Sequence, residues 1–341
     1  MQLYLDSFGA YLFVRNGQFG VRTRTQSERL FPLREVRAIL LTRGTGCSSD
    51  AALLAAAHDI PLLLIDANTH FPLAQLSSGR PGSIAAVRRE QATFTRSGAG
   101  YQWIAGRIAG KIDRQHRLLR RLAALPDAPP DFAADVELAG RALATLERGF
   151  AQWTSPPGIW DQATTDRTAG QFRGQEGTAS RLYFQQWGKY LPVHGWTFTG
   201  RQQRPAYEPF NALLNYLYGM LYTQVHLALL KSGLDPYMGV LHADQWGAQP
   251  TLAFDAIEPY RPWADEVALD LVLSSSLTVD SFQPDPDDRG LWLSATGKDR
   301  VVEAMLAYLQ TPAPYDHRRV RRAAQIDLDA QKLAAFLKDR A

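Results

Sequence analysis

Ser77-Ser-Gly-Arg-Pro-Gly-Ser83 is where this chain changes character. The run is small, polar and rich in turn formers, the composition of a linker, and it is long enough to act as a hinge. Before it the sequence is strand-rich. Leu3-Tyr4-Leu5, Ala10 to Val14 and Phe19 to Arg22 are short strand candidates. Asn16-Gly17 between two of them is a strong hairpin signal. Val36 to Leu41, Ile60 to Ile65 and Phe71 to Leu76 add further apolar, β-rich runs. One helix is expected from Ser48 to His58, with Ser48 or Ser49 as its cap.

After the linker the spacing becomes helical. Ile84 to Phe94 and Tyr101 to Leu125 carry apolar residues three and four apart. In the second of these Ile104, Ile108, Ile112, Leu118, Leu119 and Leu122 face inward, and Arg107, Lys111, Arg114, Arg117 and Arg121 recur on another face. A third helix starts at Asp131 or Asp135 and a fourth runs from about Ile159 to Leu191. Leu191 to Gln202 reads as a loop or small hairpin. Pro209 begins a helix that ends at Gly233, followed by helices over Ala264 to Leu277, Gly297 to Leu309 and Tyr315 to Lys338. The fold class expected is therefore α+β. A small β domain over residues 1–80 precedes a larger all-α domain over residues 81–341. At 341 residues two domains are the default.

Composition narrows the function classes. The single cysteine, Cys47, excludes an internal disulfide and fits the reducing cytoplasm. MQLYLDSFGAY has neither the basic nor the apolar region of a signal peptide. Pro209 to Leu230 contains no Lys, Arg, Asp or Glu, yet Asn211, Asn215, Gln224 and His226 are costly in hydrocarbon. A helix buried in protein, and no membrane association, is expected. A net charge of +3 does not by itself argue for nucleic acid. Its distribution says more: Val87 to Leu125 is strongly basic and Phe254 to Gly290 strongly acidic. A basic helical surface beside an acidic one suits a phosphodiester substrate, although for either face alone a solvated surface is the plainer reading.

Three segments carry candidate chemistry. Tyr237-Met-Gly-Val-Leu-His242 places an imidazole in apolar company, and Asp255 and Glu258 follow within Leu252-Ala-Phe-Asp-Ala-Ile-Glu-Pro-Tyr-Arg-Pro262. His and carboxylates in apolar surroundings suit a divalent metal, whereas a hydrogen-bonded core histidine and helix-capping carboxylates are the plainer reading. Glu176 lies between Gly174 and Gly177, which suggests close approach of another backbone or of a ligand. On a helix Glu176, Ser180 and Tyr183 share a face, where an exposed helical glutamate is the plainer reading. Asn211, Asn215, Tyr218, Tyr222 and His226 form a polar stripe down the uncharged helix. Such a stripe lines a polar cavity or is hydrogen-bonded in the core. The cavity is expected for Asn211, Asn215 and Tyr218.

These segments, in this order and with Arg89-Glu-Gln-Ala92 and Ala109-Gly-Lys-Ile112 before them, resemble the first Cas protein family, the CRISPR-associated endonucleases of spacer acquisition. The resemblance covers nearly the whole chain. It implies a homodimer joined through the N-terminal β domain, and a small second Cas protein that completes the integration complex. It implies Mg²⁺ or Mn²⁺ held by Glu176, His242 and Glu258. Asp255 would stand behind these ligands, as would Asn211, Asn215, Tyr218 and Tyr183. Pro259 disfavours a helical Glu258 and leaves open which of Asp255 and Glu258 meets the metal. Double-stranded DNA, both the prespacer and the repeat target, is the implied substrate. Arg204 and Arg261 would neutralise phosphates near the scissile bond, and Lys111, Arg114 and Arg117 would hold the duplex by its backbone. The chemistry implied is phosphoryl transfer, joining strands when a DNA 3′-OH attacks and cutting when water does. A general metal-dependent repair nuclease and a non-catalytic DNA-binding scaffold are the alternatives.

Overall fold

A computed structural model describes residues 1–24, 27–68, 72–76, 84–203, 205–242, 249–285 and 290–340. The linker at 77–83 and Arg204 lie outside these described residues.

The N-terminal part runs β1 (Gln2–Leu5), β2 (Tyr11–Arg15), β3 (Gln18–Arg22), β4 (Arg29–Phe31), β5 (Ala38–Leu41), β6 (Gly46–Cys47), α1 (Ser49–Ala57), β7 (Leu62–Ile65) and β8 (Pro72–Leu76). Its strands form two four-stranded sheets, ordered β1-β5-β7-β8 and β4-β3-β2-β6. Asn16 and Gly17 both take positive φ, which turns β2 back onto β3 with Arg15 opposite Gln18. Ser48 Oγ accepts the Ala51 N–H at 3.1 Å and caps α1.

All four residues of β5 are buried, and the strand has parallel neighbours on both sides. Side chains alternate along a strand, so both faces of this sheet must be covered. One face packs Leu3, Leu5, Ile39, Leu41 and Leu62 with Leu12 and Phe19 of the second sheet. The other packs Ala38, Leu40, Leu63 and Ile65 onto Leu227, far along the chain.

The helical part runs α2 (Ile84–Phe94), α3 (Gly98–Ala123), α4 (Phe132–Ala151), α5 (Gln162–Tyr190), α6 (Pro209–Lys231), α7 (Thr251–Ile257), α8 (Arg261–Leu273), β9 (Phe282–Pro284), β10 (Leu291–Leu293), α9 (Ala295–Gln310), β11 (Pro312–Tyr315), β12 (Arg318–Arg321) and α10 (Arg322–Lys338). Most of α6 is buried. It ends as expected: Gly233 takes φ 78°, its N–H reaching Leu230 O and that of Leu234 reaching Leu229 O. Among the described residues no helix is long and apolar enough to cross a membrane.

Among the described residues the sheet structure of the helical part is two small hairpins, β9–β10 and β11–β12. The second corrects the expected start of the last helix. Pro312 and Pro314 cannot donate in a helix and Asp316 takes φ 49° at the tip, so α10 begins only at Arg322. Leu191–His194 is a single 3-10 turn, and no hairpin follows it.

Candidate active site

Helix α3 carries the centre of the site. Ile104, Ile108, Leu118 and Leu122 keep one stripe of the helix in the core, and Lys111 and Gln115 fall in the same register. Lys111 is 1% exposed. Its Nζ donates to Glu176 Oε1 on α5 and to Glu258 Oε2 just past α7. Burial would lower the lysine pKa, but Glu258 and Glu176 raise it, so the ammonium stays charged.

This placement corrects the expectation of a duplex-binding face at Lys111, Arg114 and Arg117. The basic stripe of α3 packs on the α7–α8 junction, where unpaired carbonyls attract cations. Arg107 donates to Ala256 O at 2.9 Å, and Arg114 donates to Pro259 O while lying over the Trp263 ring. Of the three expected DNA contacts, Arg117 alone has a largely exposed side chain, paired with Asp113 one turn away.

Glu258 is buried, and its backbone is helical at φ −46°, ψ −51°, against the expectation drawn from Pro259. The proline acts on the ladder instead. It has no N–H to continue α7, so α7 stops at Ile257, a 3-10 turn spans Glu258–Tyr260, and α8 restarts at Arg261. Asp255 and Glu258 therefore belong to successive segments. Arg261 Nε donates to Glu258 Oε1 at 2.8 Å, and a second guanidinium nitrogen donates to Tyr222 OH at 2.6 Å. Burial pushes the Glu258 carboxyl up, but Arg261 and Lys111 beside it hold it down to about 2. For Glu176 burial also opposes ionisation, and Lys111 outweighs it. Ser180, one turn on, donates to Glu176 Oε1 at 2.8 Å. A Cβ added at Gly174 or Gly177 would meet open space, so among the described residues no backbone approaches the helix at these glycines.

His242 is positioned from behind. Its Nδ1 lies 2.6 Å from Asp255 Oδ1, while Asp255 Oδ2 accepts the N–H groups of Val240 and Leu241. A Cβ on Gly239 would come within 2.6 Å of the Thr251 backbone, so glycine is what lets the loop lie this close to α7. Gln91, from the Arg89-Glu-Gln-Ala92 segment, donates to Asp235 O and Met238 O and holds the same loop from α2. Burial lowers the His242 pKa, and the hydrogen bond and charge of Asp255 together with the charge of Glu258 raise it by more. With Nδ1–H directed at a carboxylate, Nε2 is left with the lone pair, a tautomer assigned from this hydrogen bond.

The polar stripe of α6 divides. Tyr218 OH donates to Asp265 Oδ1 at 2.6 Å and Tyr183 OH to Asp265 Oδ2 at 2.9 Å. Asn215 accepts from Arg201 at 2.6 Å. Asn211, expected at the cavity, instead braces the preceding loop: it bonds Gln202 N, Gly200 O and Glu208. His226 reaches Gln75 of β8. Arg201 and Arg261 each lie 5.2 Å from the centre of the Tyr218 ring. The sequence reading had no place for Arg201 or Asp265.

Glu176, His242, Glu258, Arg261, Lys111 and Tyr218 line one cavity of about 560 Å³. Among the described residues no three His, Cys, Asp or Glu side chains form a ready metal cluster. The donor chemistry nonetheless fits a divalent cation. Two ionised carboxylates already close on a cation, Lys111, and an oriented imidazole shares their cavity.

The profile described as CRISPR associated protein Cas1 matches residues 3–306. The CRISPR-associated endonuclease Cas1 2 of Rhodospirillum rubrum is 33% identical over 255 residues, 74% of this chain and 70% of that one. The CRISPR-associated endonuclease Cas1 1 of Archaeoglobus fulgidus is 27% identical over 348 residues, 99% of this chain and 96% of that one. A chain of a solved Cas6-RT-Cas1--Cas2 complex superposes on 100% of this chain with a TM-score of 0.79. It is 21% identical, a likeness of fold, and this chain spans 35% of its length.

Proposed function

Because this chain belongs to the Cas1 family, we propose that it is a metal-dependent DNA endonuclease and integrase that inserts short DNA fragments into a CRISPR array. Glu176, Glu258 and His242 Nε2 would hold Mg²⁺ or Mn²⁺. The observation that carries this is the engagement of Asp255. Its carboxylate is taken by His242 and two peptide N–H groups, which supports Glu258, the one of the two acids that lines the cavity, as the acid for the metal.

When bound, the ion supplies Lewis-acid stabilisation of charge on the phosphoryl oxygens. The chain's own residues do the rest. Asp255 fixes the imidazole, and Tyr222 and Glu258 fix the Arg261 guanidinium at the cavity wall. Arg261 and Arg201 place positive charge where a phosphate would enter. Tyr218 and Tyr183, tied to Asp265, hold the wall between them rigid.

The substrate is duplex DNA, with a 3′-OH attacking in strand joining. The chain acts as a homodimer in the cytoplasm, with the N-terminal sheets as its dimer surface. The small second Cas protein is its partner, supported by the shared fold with a chain of the Cas6-RT-Cas1--Cas2 complex. The test is strand joining between 3′-OH donor ends and a repeat-containing target with Mn²⁺. Glu176→Ala, His242→Ala and Glu258→Ala should each lower joining at least a hundredfold. Cleavage without joining would favour a repair nuclease, and undiminished joining in all three variants would overturn the metal site.

A further inference from the structure

Lys111 is one of six lysines among 37 basic residues, and it is buried at the centre of the site. An ammonium taken from water at that depth is costly unless it is paired. Lys111 is paired twice, with Glu176 and Glu258, the two carboxylates that the proposed function assigns to the metal, so any role for Lys111 toward the ion rests on that reading. An ammonium and a divalent ion cannot occupy the space between the same two carboxylates.

We propose that Lys111 is an internal counter-ion that the metal must displace, and that this displacement makes metal and DNA bind cooperatively. Two observations show where the ammonium goes. Gln115, one helical turn on from Lys111, is 2% exposed, and its Oε1 is buried with no hydrogen-bond partner among the described residues. It lines the same cavity, so an empty acceptor stands within the lysine's swing. The cavity lining offers no other anion. Among the described residues its only carboxylates are Glu176 and Glu258, while Arg181, Arg201 and Arg261 are all cationic. A displaced ammonium therefore gains one neutral acceptor and three positive neighbours. A DNA phosphate entering the cavity supplies the missing negative charge. Metal binding alone strands a cation, and metal binding with DNA does not. By linkage, DNA then tightens metal binding by the factor by which metal tightens DNA binding.

The test is Mn²⁺ affinity of the full chain, measured by calorimetry with and without a short blunt duplex. In the wild-type protein the duplex should tighten Mn²⁺ binding. Lys111→Met should bind Mn²⁺ at least tenfold more tightly than wild type without DNA, and the duplex should tighten its Mn²⁺ binding by a smaller factor than in the wild type. Gln115→Met, which removes the second resting place, should weaken Mn²⁺ binding severalfold without DNA. Equal or weaker Mn²⁺ binding by Lys111→Met, or equal tightening by DNA in both proteins, overturns the proposal.

Should Lys111→Met fail to fold, reductive methylation of the wild-type protein decides, read on the Lys111 peptide by mass spectrometry. Labelling should be low without metal and rise at saturating Mn²⁺; no rise overturns the proposal. Wild-type Mn²⁺ binding that Glu176→Gln abolishes, with Lys111→Met unchanged, would end this inference alone. A wild-type protein that binds no Mn²⁺ would end the functional reading and this inference together.

Discussion

Asp255 is fully buried, and among the described residues its hydrogen bonds all serve the His242 loop. Carboxylates placed behind a metal-binding histidine typically govern affinity by 10–100-fold. Asp255→Asn keeps an oxygen for one set of donors but loses the charge facing Nδ1. Calorimetric titration should show Mn²⁺ affinity falling by about that factor while the unfolding midpoint moves little; unchanged affinity would mean His242 is not held through this residue. Asp265 makes a different prediction. Burial lifts its carboxyl from 3.8 to about 6, although Tyr218 and Tyr183 both donate to it. The folded state thus holds this proton more tightly than the unfolded chain. Its contribution to stability is complete below pH 4 and is lost as pH rises through 6. At about 1.4 kcal/mol per tenfold in proton affinity, the loss is roughly 3 kcal/mol. Asp265→Asn removes this contribution, so stability in urea unfolding followed from pH 4 to 7 should rise more with pH than it does in the wild type. His242, Asp255 and Glu258 were conspicuous as polar residues within a run of Gly, Pro and apolar side chains, whereas Glu176 was singled out by the family resemblance, its flanking glycines meeting open space. Lys111 was misread because its neighbours Arg107 and Arg114 suggested a solvated face. The signal was present in the register 104, 108, 111, 115, 118, 122, which places Lys111 and Gln115 inside the apolar stripe. Arg201 had no such signal, since an arginine in a loop looks the same whether it faces water or a tyrosine ring.

Helix α6 joins the two parts of the chain. Its Leu227 enters the sheet of β5 and β7, and its His226 bonds Gln75 on β8. Burial lowers the His226 pKa to about 4, and Asp235 only partly opposes this. Here the folded state binds the proton less well than the unfolded chain. Stability from this group is complete above pH 6.5 and is lost as pH falls through 4, again by roughly 3 kcal/mol. His226→Gln, which keeps a donor for Gln75, should remove this acid-side loss and leave stability falling as pH rises from 4 to 6.5, the Asp265 slope unopposed. His226 and Asp265 act in opposite directions over one pH window, so the wild-type profile should be flatter than that of either variant. The helix itself was plain in the sequence, because twenty-two residues without Lys, Arg, Asp or Glu have no other home in a folded protein. The β11–β12 hairpin was not. Its strands are four residues each, two prolines interrupt the first, and three arginines fill the second, so the apolar alternation that marks a strand is nearly absent.

At the scale of the whole molecule, charge and fold are segregated together. The basic stripe of α3 is largely consumed in holding the α7–α8 junction, so DNA affinity must come from residues still facing solvent, Arg117 among them. Duplex binding should weaken steeply with salt, and Arg117→Ala should reduce the slope of log K against log salt by about 0.9 if it meets one phosphate. Filter binding from 50 to 200 mM salt checks this, and an unchanged slope would place the duplex elsewhere. The overall α+β division was readable from the change in periodicity alone. The double coverage of β5 was not, because the strand gives no hint that its second face waits for a helix some 190 residues later.

That second face has a mechanical consequence. Leu227, seated in the sheet, and Tyr218, seated at the cavity, are nine residues apart on one unbroken helix, about 13 Å. Rocking the helix by two degrees about its seat in the sheet would carry Tyr218 through about half an ångström. The position of the cavity wall is thus gauged by an apolar seam between helix and sheet, about two and a half turns away, made of residues that do not line the cavity.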